Sequence, residues 1–91
     1  MRDAYGARVL VVEDDSALRE VVAGLLTKDG YREVRGVDTV ADALTTIATW
    51  RPDVMLLDVM LPDGNGFDLL RAVRQTSQVP AIFLSARDED E

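Results

Sequence analysis

The side chains able to do chemistry in this chain are acids, and they stand at the ends of apolar runs. Val9-Leu10-Val11-Val12 stops abruptly at Glu13-Asp14-Asp15, and Val54-Met55-Leu56-Leu57 stops at Asp58. If the two runs are neighbouring strands, Glu13, Asp14 and Asp58 converge on one crevice. Two carboxylates about 4 Å apart repel by roughly 4 kcal/mol at an effective dielectric near 20, so such a cluster needs a cation or raised pKa values. All-oxygen ligation, in a chain with no histidine and no cysteine, suits magnesium, which keeps several waters and binds through one or two carboxylates plus phosphate. Each acid taken singly has a blander account. Asp15 or Ser16 reads as the N-cap of a following helix, where acids favour the helix dipole. Asp58 reads as a turn residue. Acids ending two buried strands together are much harder to assign to chance.

Other chemistries lack their parts. No glycine-rich phosphate loop ending in lysine is present, and Lys28 is the only lysine. Gly64-Asn65-Gly66 lacks the third glycine of a dinucleotide fingerprint. Without histidine, Ser16 and Ser85 have no imidazole to activate them as nucleophiles. The net charge of −7 opposes nucleic-acid binding by this segment and suits a cation site. Part of it sits in Asp88-Glu89-Asp90-Glu91, which reads as a solvated tail.

The elements that must position these acids follow from periodicity. With 91 residues, 47% of them hydrophobic, the chain reads as one small globular domain. The continuous runs Arg8–Val12 and Val54–Leu57 read as strands of a parallel sheet covered on both faces, and Pro80–Leu84 as a third of that kind. Tyr31–Val37, broken by charges and Gly36, reads as an edge strand with one irregularity. Leu18, Val21, Val22, Leu25 and Leu26 recur with helical period after Ser16, and Gly30 suits the left-handed position beyond the helix end. Thr39 and Asp42 have capping-box spacing before a second helix that Pro52 ends. Phe67, Leu69, Leu70 and Val73 mark a third. The order β-α-β-α-β-α-β predicts an α/β fold with helices on both faces of the sheet, the ligand lying beyond the carboxyl ends of the strands. Residues 1–7 read as an N-terminal extension and 8–91 as the domain. No run is long enough to span a bilayer, and Met1–Gly6 lacks the apolar stretch of a signal peptide. Together with the absence of cysteine, this makes the cytoplasm the expected compartment.

At this point the sequence resembles the receiver domain of two-component response regulators. The matching pieces are Val11–Asp15, Pro52–Gly66 and Pro80–Arg87, in the family's order and spacing. The resemblance implies the flavodoxin-like doubly wound sheet, order 2-1-3-4-5, in which the first and third strands are adjacent. It further implies that Asp58 accepts a phosphoryl group from a phosphohistidine on a sensor histidine kinase. Magnesium would be held by Asp14 directly, by Glu13 through water, by Asp58 and by the backbone carbonyl of Met60. Ser85 matches the residue that hydrogen-bonds the phosphoryl group and switches position, and Pro62 and Gly66 match residues that shape the loop. Such a domain is not an enzyme in the ordinary sense, although it takes part in its own phosphotransfer and dephosphorylation. Ser85-Ala86-Arg87-Asp88 and Met60-Leu61-Pro62 are similar to the subfamily whose output is a winged-helix DNA-binding domain, so DNA would be a partner only through a domain absent from this chain.

The family pattern also has an invariant lysine after a fifth strand and a switch aromatic on it. Neither has a match here. The sequence read alone therefore looks C-terminally truncated, lacking one strand and two helices, whether by recombinant design, proteolysis or a shortened gene product. That loss would expose apolar surface and a strand edge and favour a homodimer through the last strand or first helix. Two alternatives stand beside the phosphoacceptor reading. One is a receiver-like fragment that no longer switches and serves only in interaction or dimerisation. The other is a magnesium-dependent phosphatase with an aspartyl nucleophile, which needs a second acid two residues beyond the nucleophile; Asp14-Asp15-Ser16 does not supply it.

Overall fold

In a computed structural model, which describes residues 4–84, the chain forms β1 (Arg8–Val12), α1 (Ser16–Asp29), β2 (Glu33–Val37), α2 (Val40–Trp50), β3 (Val54–Leu57), β4 (Met60–Leu61), β5 (Gly64–Asn65), α3 (Gly66–Val73) and β6 (Ala81–Phe83). Four strands make one parallel sheet in the order β2-β1-β3-β6. β1 and β3 are therefore neighbours, as the convergence of acids required, with Val12 opposite Leu57. The remaining two strands are short and antiparallel, a hairpin inside the loop that follows β3.

The helix boundaries follow local chemistry. Asp15, not Ser16, is the N-cap of α1: its carboxylate accepts hydrogen bonds from the N–H groups of Ala17 (3.0 Å) and Leu18 (3.2 Å). Gly30 closes that helix at φ 118°. The Thr39 hydroxyl accepts from the Asp42 N–H (3.0 Å) to open α2. That helix ends at Trp50, because Arg51, the residue before proline, leaves the helical region for φ 56°.

Alternation along the strands sends Leu10, Val12, Met55 and Leu57 to one face and Val9, Val11, Leu56 and Ile82 to the other. The first set meets Ala43 and Trp50 of α2 and Leu69 and Val73 of α3, with Leu61 and Val79, in one contiguous core. Of the second set, Val9 and Val11 are buried beneath α1, which lies over β1 and β2.

Two expectations are corrected here. β2 is an edge strand but has no irregularity: it pairs residue for residue with β1 from Glu33 to Val37. Gly36 serves a different purpose. A Cβ there would come within 3.0 Å of the Arg19 side chain, so the missing side chain lets Arg19 cross the strand. The strand near Pro80–Leu84 is also not buried on both faces, since Ile82 is 57% exposed. Ile82 lies two strands away from the β1–β2 half of the sheet that α1 covers. Ahead of β1, Tyr5 meets Tyr31 edge to face (5.0 Å between ring centres), and its carbonyl accepts from the Arg32 N–H, so the short 3₁₀ turn Ala4–Gly6 is tied to the sheet.

Candidate functional site

Parallel strands deliver all their carboxyl ends to one edge of the sheet, and the ladder continues one residue past each strand. The Glu13 N–H donates to the Val37 carbonyl (3.0 Å), the Asp58 N–H to Val12 (2.9 Å), and the Leu84 N–H to Leu57 (2.9 Å). Glu13 and Asp58 are thereby held on adjacent strands by main-chain bonds. Glu13, Asp14 and Asp58 each offer a carboxylate oxygen, and the three oxygens lie within 4.8 Å of one another.

The three acids differ in environment. Glu13 is 2% exposed. One of its oxygens accepts from the Asp15 N–H (3.0 Å), while Oε1 is buried with no partner among the described groups. Burial, and then the charge of Asp58 and the proximity of Asp14, raise its pKa above the ordinary carboxylate value, against a lowering pull from the Asp15 N–H. Asp14 is exposed and Asp58 half-buried, with Oδ1 of Asp58 accepting from the Val59 N–H (2.8 Å). An orphaned buried oxygen beside two more carboxylates fits a hard cation with oxygen ligands.

Neighbouring residues hold this geometry. Arg19 reaches back from α1 and donates to the Glu13 carbonyl (2.8 Å), its stem passing over Gly36. At Gly66 a Cβ would stand 2.3 Å from the Asp58 carbonyl oxygen, so only glycine lets α3 begin this close to the acid. Asn65 caps α3, accepting from the Asp68 N–H (2.9 Å). Met60, whose carbonyl the resemblance assigns to the cation, lies in β4 and is 69% exposed. Pro62 is at the turn of the same hairpin. Ser85 lies outside the described residues. Lys28 is in the last turn of α1, roughly 18 Å along the helix from its start at 1.5 Å per residue, so it does not serve the acids.

Sequence reasoning missed Arg19 and Asp63. Arg19 falls among the apolar positions of α1, and Asp63 within the loop after Asp58, and neither position carries a local pattern that marks a role. The one available signal for Arg19 was its place directly after Leu18, within the first turns that follow the acids.

The response regulator receiver domain model matches residues 9–91. The chain belongs to the response-regulator receiver family. Among similar proteins, the KDP operon transcriptional regulatory protein KdpE of Escherichia coli is 45% identical over 82 residues, which is 90% of this chain and 36% of KdpE. The DNA-binding response regulator MtrA of Mycobacterium bovis is 38% identical over 96% of this chain and 38% of MtrA. This receiver thus spans little more than a third of the length of these relatives. Among solved structures, the MaeR response regulator bound to beryllium trifluoride superposes with a TM-score of 0.84 at 35% identity, covering 91% of this chain and 70% of the solved one. The chemotaxis response regulator CheY4 of Vibrio cholerae gives 0.81 at 33% identity, covering 86% of this chain and 67% of the solved one. The flavodoxin-like architecture is therefore shared, and the receiver is not of an ordinary enzyme family. Among its described residues no helix is long and apolar enough to cross a membrane.

Proposed function

We propose that Asp58 of this receiver accepts a phosphoryl group from the phosphohistidine of a sensor histidine kinase. The observation that carries the reading is the meeting of Glu13, Asp14 and Asp58 within 4.8 Å, with one Glu13 oxygen buried and unpartnered. In support, the similar MaeR binds beryllium trifluoride. A carboxylate oxygen of Asp58 bonds to phosphorus as the phosphorus–nitrogen bond breaks, and the electron pair stays on the leaving imidazole. The product is an acyl phosphate. Glu13, Asp14, Asp58 and the Met60 carbonyl would hold magnesium, which supplies charge neutralisation for the phosphoryl oxygens when bound. Burial keeps the Glu13 carboxylate short of hydration, so it stands ready to face a cation.

The phosphoryl group adds a charge of about −1.5 to −2 beside the start of α3. By resemblance, the Ser85 hydroxyl then donates to a phosphoryl oxygen. The same site would hydrolyse the acyl phosphate, so the domain limits the life of its own signal. The length of the relatives supports an output domain elsewhere in the protein, winged-helix and DNA-binding, acting in the cytoplasm. We also propose self-association, favoured by Leu18 (43% exposed), Val21 (56%) and Leu25 (63%) on α1 together with Ile82 on β6.

Incubation with acetyl phosphate and magnesium tests the phosphoacceptor reading. Intact-mass analysis should show one added phosphoryl group, labile to hydroxylamine and absent from Asp58→Asn. Incorporation that survives this substitution places the acceptor elsewhere.

A further inference from the structure

We infer that Asp63 is a positioning residue for the phosphoacceptor site, mooring the loop after Asp58 to the first turn of α2. The inference rests on the reading of Asp58 and Met60 given above. The loop is a hairpin in which Met60 pairs with Asn65 and Leu61 with Gly64, so Pro62 and Asp63 form its tip. Its base is fixed next to the acid: the Gly66 N–H donates to the Val59 carbonyl (2.8 Å), and Asn65 caps α3.

The tip is fixed to another element. One Asp63 oxygen accepts from the Val40 N–H (2.7 Å) and the other from the Ala41 N–H (3.1 Å), partners 23 and 22 residues away. These are orphan donors of the first turn of α2. The helix already has its own cap in Thr39, which serves the Asp42 N–H. Asp63 thus joins α2 from outside, and being exposed it is held by these two bonds rather than by burial. The same N–H groups, that of Val40 first, lower its pKa.

Met60 sits between the fixed base and the fixed tip. A carbonyl ligand has no rotamer with which to adjust, so its placement depends on the backbone of the hairpin. Coupling of this kind is reciprocal: a cation drawn to Met60 is felt at Val40 and Ala41.

Magnesium chloride titration of the ¹⁵N-labelled chain tests the inference. Asp63→Ala should weaken magnesium binding about tenfold, the low end for losing a partner that orients a ligand. It should also erase the magnesium-induced shifts of the Val40 and Ala41 amides. Thr39→Ala removes a bond from the same helix without freeing the hairpin, so it should lower the melting temperature and leave magnesium affinity unchanged. Asp42→Asn removes a carboxylate from the same turn and measures any loss due to charge alone. Equal weakening by Asp63→Ala and Thr39→Ala, or by Asp63→Ala and Asp42→Asn, overturns the inference, as does wild-type affinity in Asp63→Ala. If Asp63→Ala does not fold, Asp63→Asn, which keeps one acceptor oxygen, should show a smaller loss in the same direction, and no loss overturns the inference. Absence of magnesium binding by the unaltered chain, with no shifts at Glu13, Asp14 or Asp58, would instead overturn the phosphoacceptor reading together with this one.

Discussion

The two faces of the sheet are built from the same strands yet packed very differently. On the α2/α3 face, Leu10, Met55 and Leu57 are wholly buried. On the α1 face, burial falls off across the sheet: Val11 is wholly buried, Leu56 is half-buried, and Ile82 is 57% exposed. Hydropathy along a strand does not tell these faces apart, because both alternating sets are apolar. Among the described residues, what separates them is coverage, two helices against one that lies over β1 and β2.

The largest effect expected from this difference is on stability. Leu57→Ala should cost about 2–5 kcal/mol in urea unfolding. That is a large part of the total for a chain this size at roughly 0.05–0.15 kcal/mol per residue. Ile82→Ala should cost no more than about 0.5 kcal/mol, the range of surface substitutions. Equal costs would mean that the open face is covered in solution.

The glycines on the two sides sharpen the same contrast. Gly66→Ala drives a methyl group against the Asp58 carbonyl, which belongs to the backbone and cannot yield, and should cost about 1–3 kcal/mol. Gly36→Ala meets the Cδ and Cγ of the Arg19 stem, a side chain that can shift by a few tenths of an ångström where a backbone carbonyl cannot. Its melting temperature should stay within a few degrees of the unaltered chain, and circular dichroism melts would rank the pair.

The exposed side of α1 should also govern association. Val21→Ser with Leu25→Ser removes apolar area that gains about 25 cal/mol per Å² when buried, and should raise the dimer dissociation constant about tenfold. Light scattering across a dilution series reads this. A single monomer at every concentration for the unaltered chain would remove the self-association proposal.

The smallest effect concerns Glu13, on the edge that the two faces share. Its folded-state pKa is raised, so in the folded state it holds its proton more tightly than in the unfolded chain. Stability therefore falls as pH rises from the unfolded value through the folded one. In chelator, Glu13→Gln should melt a few degrees higher than the unaltered chain at about pH 7, and the gap should close as pH falls to about 4.5. A gap that does not change with pH would assign the effect to packing.

Much of this receiver was legible from local pattern alone. The order of elements, the caps at Thr39 and Gly30, and the acids ending β1 and β3 all depend on neighbours a few residues apart, and periodicity and residue type report those neighbours directly. The sequence also determined that Glu13 and Asp58 share an edge, once β1 and β3 were taken as adjacent. Tertiary structure alone decided the rest. It left Ile82 in solvent, gave Gly36 to the passage of Arg19, buried one Glu13 oxygen without a partner, and joined Asp63 to the N–H groups of α2. Each of these depends on which element comes to lie beside a residue distant in the chain, and no local period encodes that.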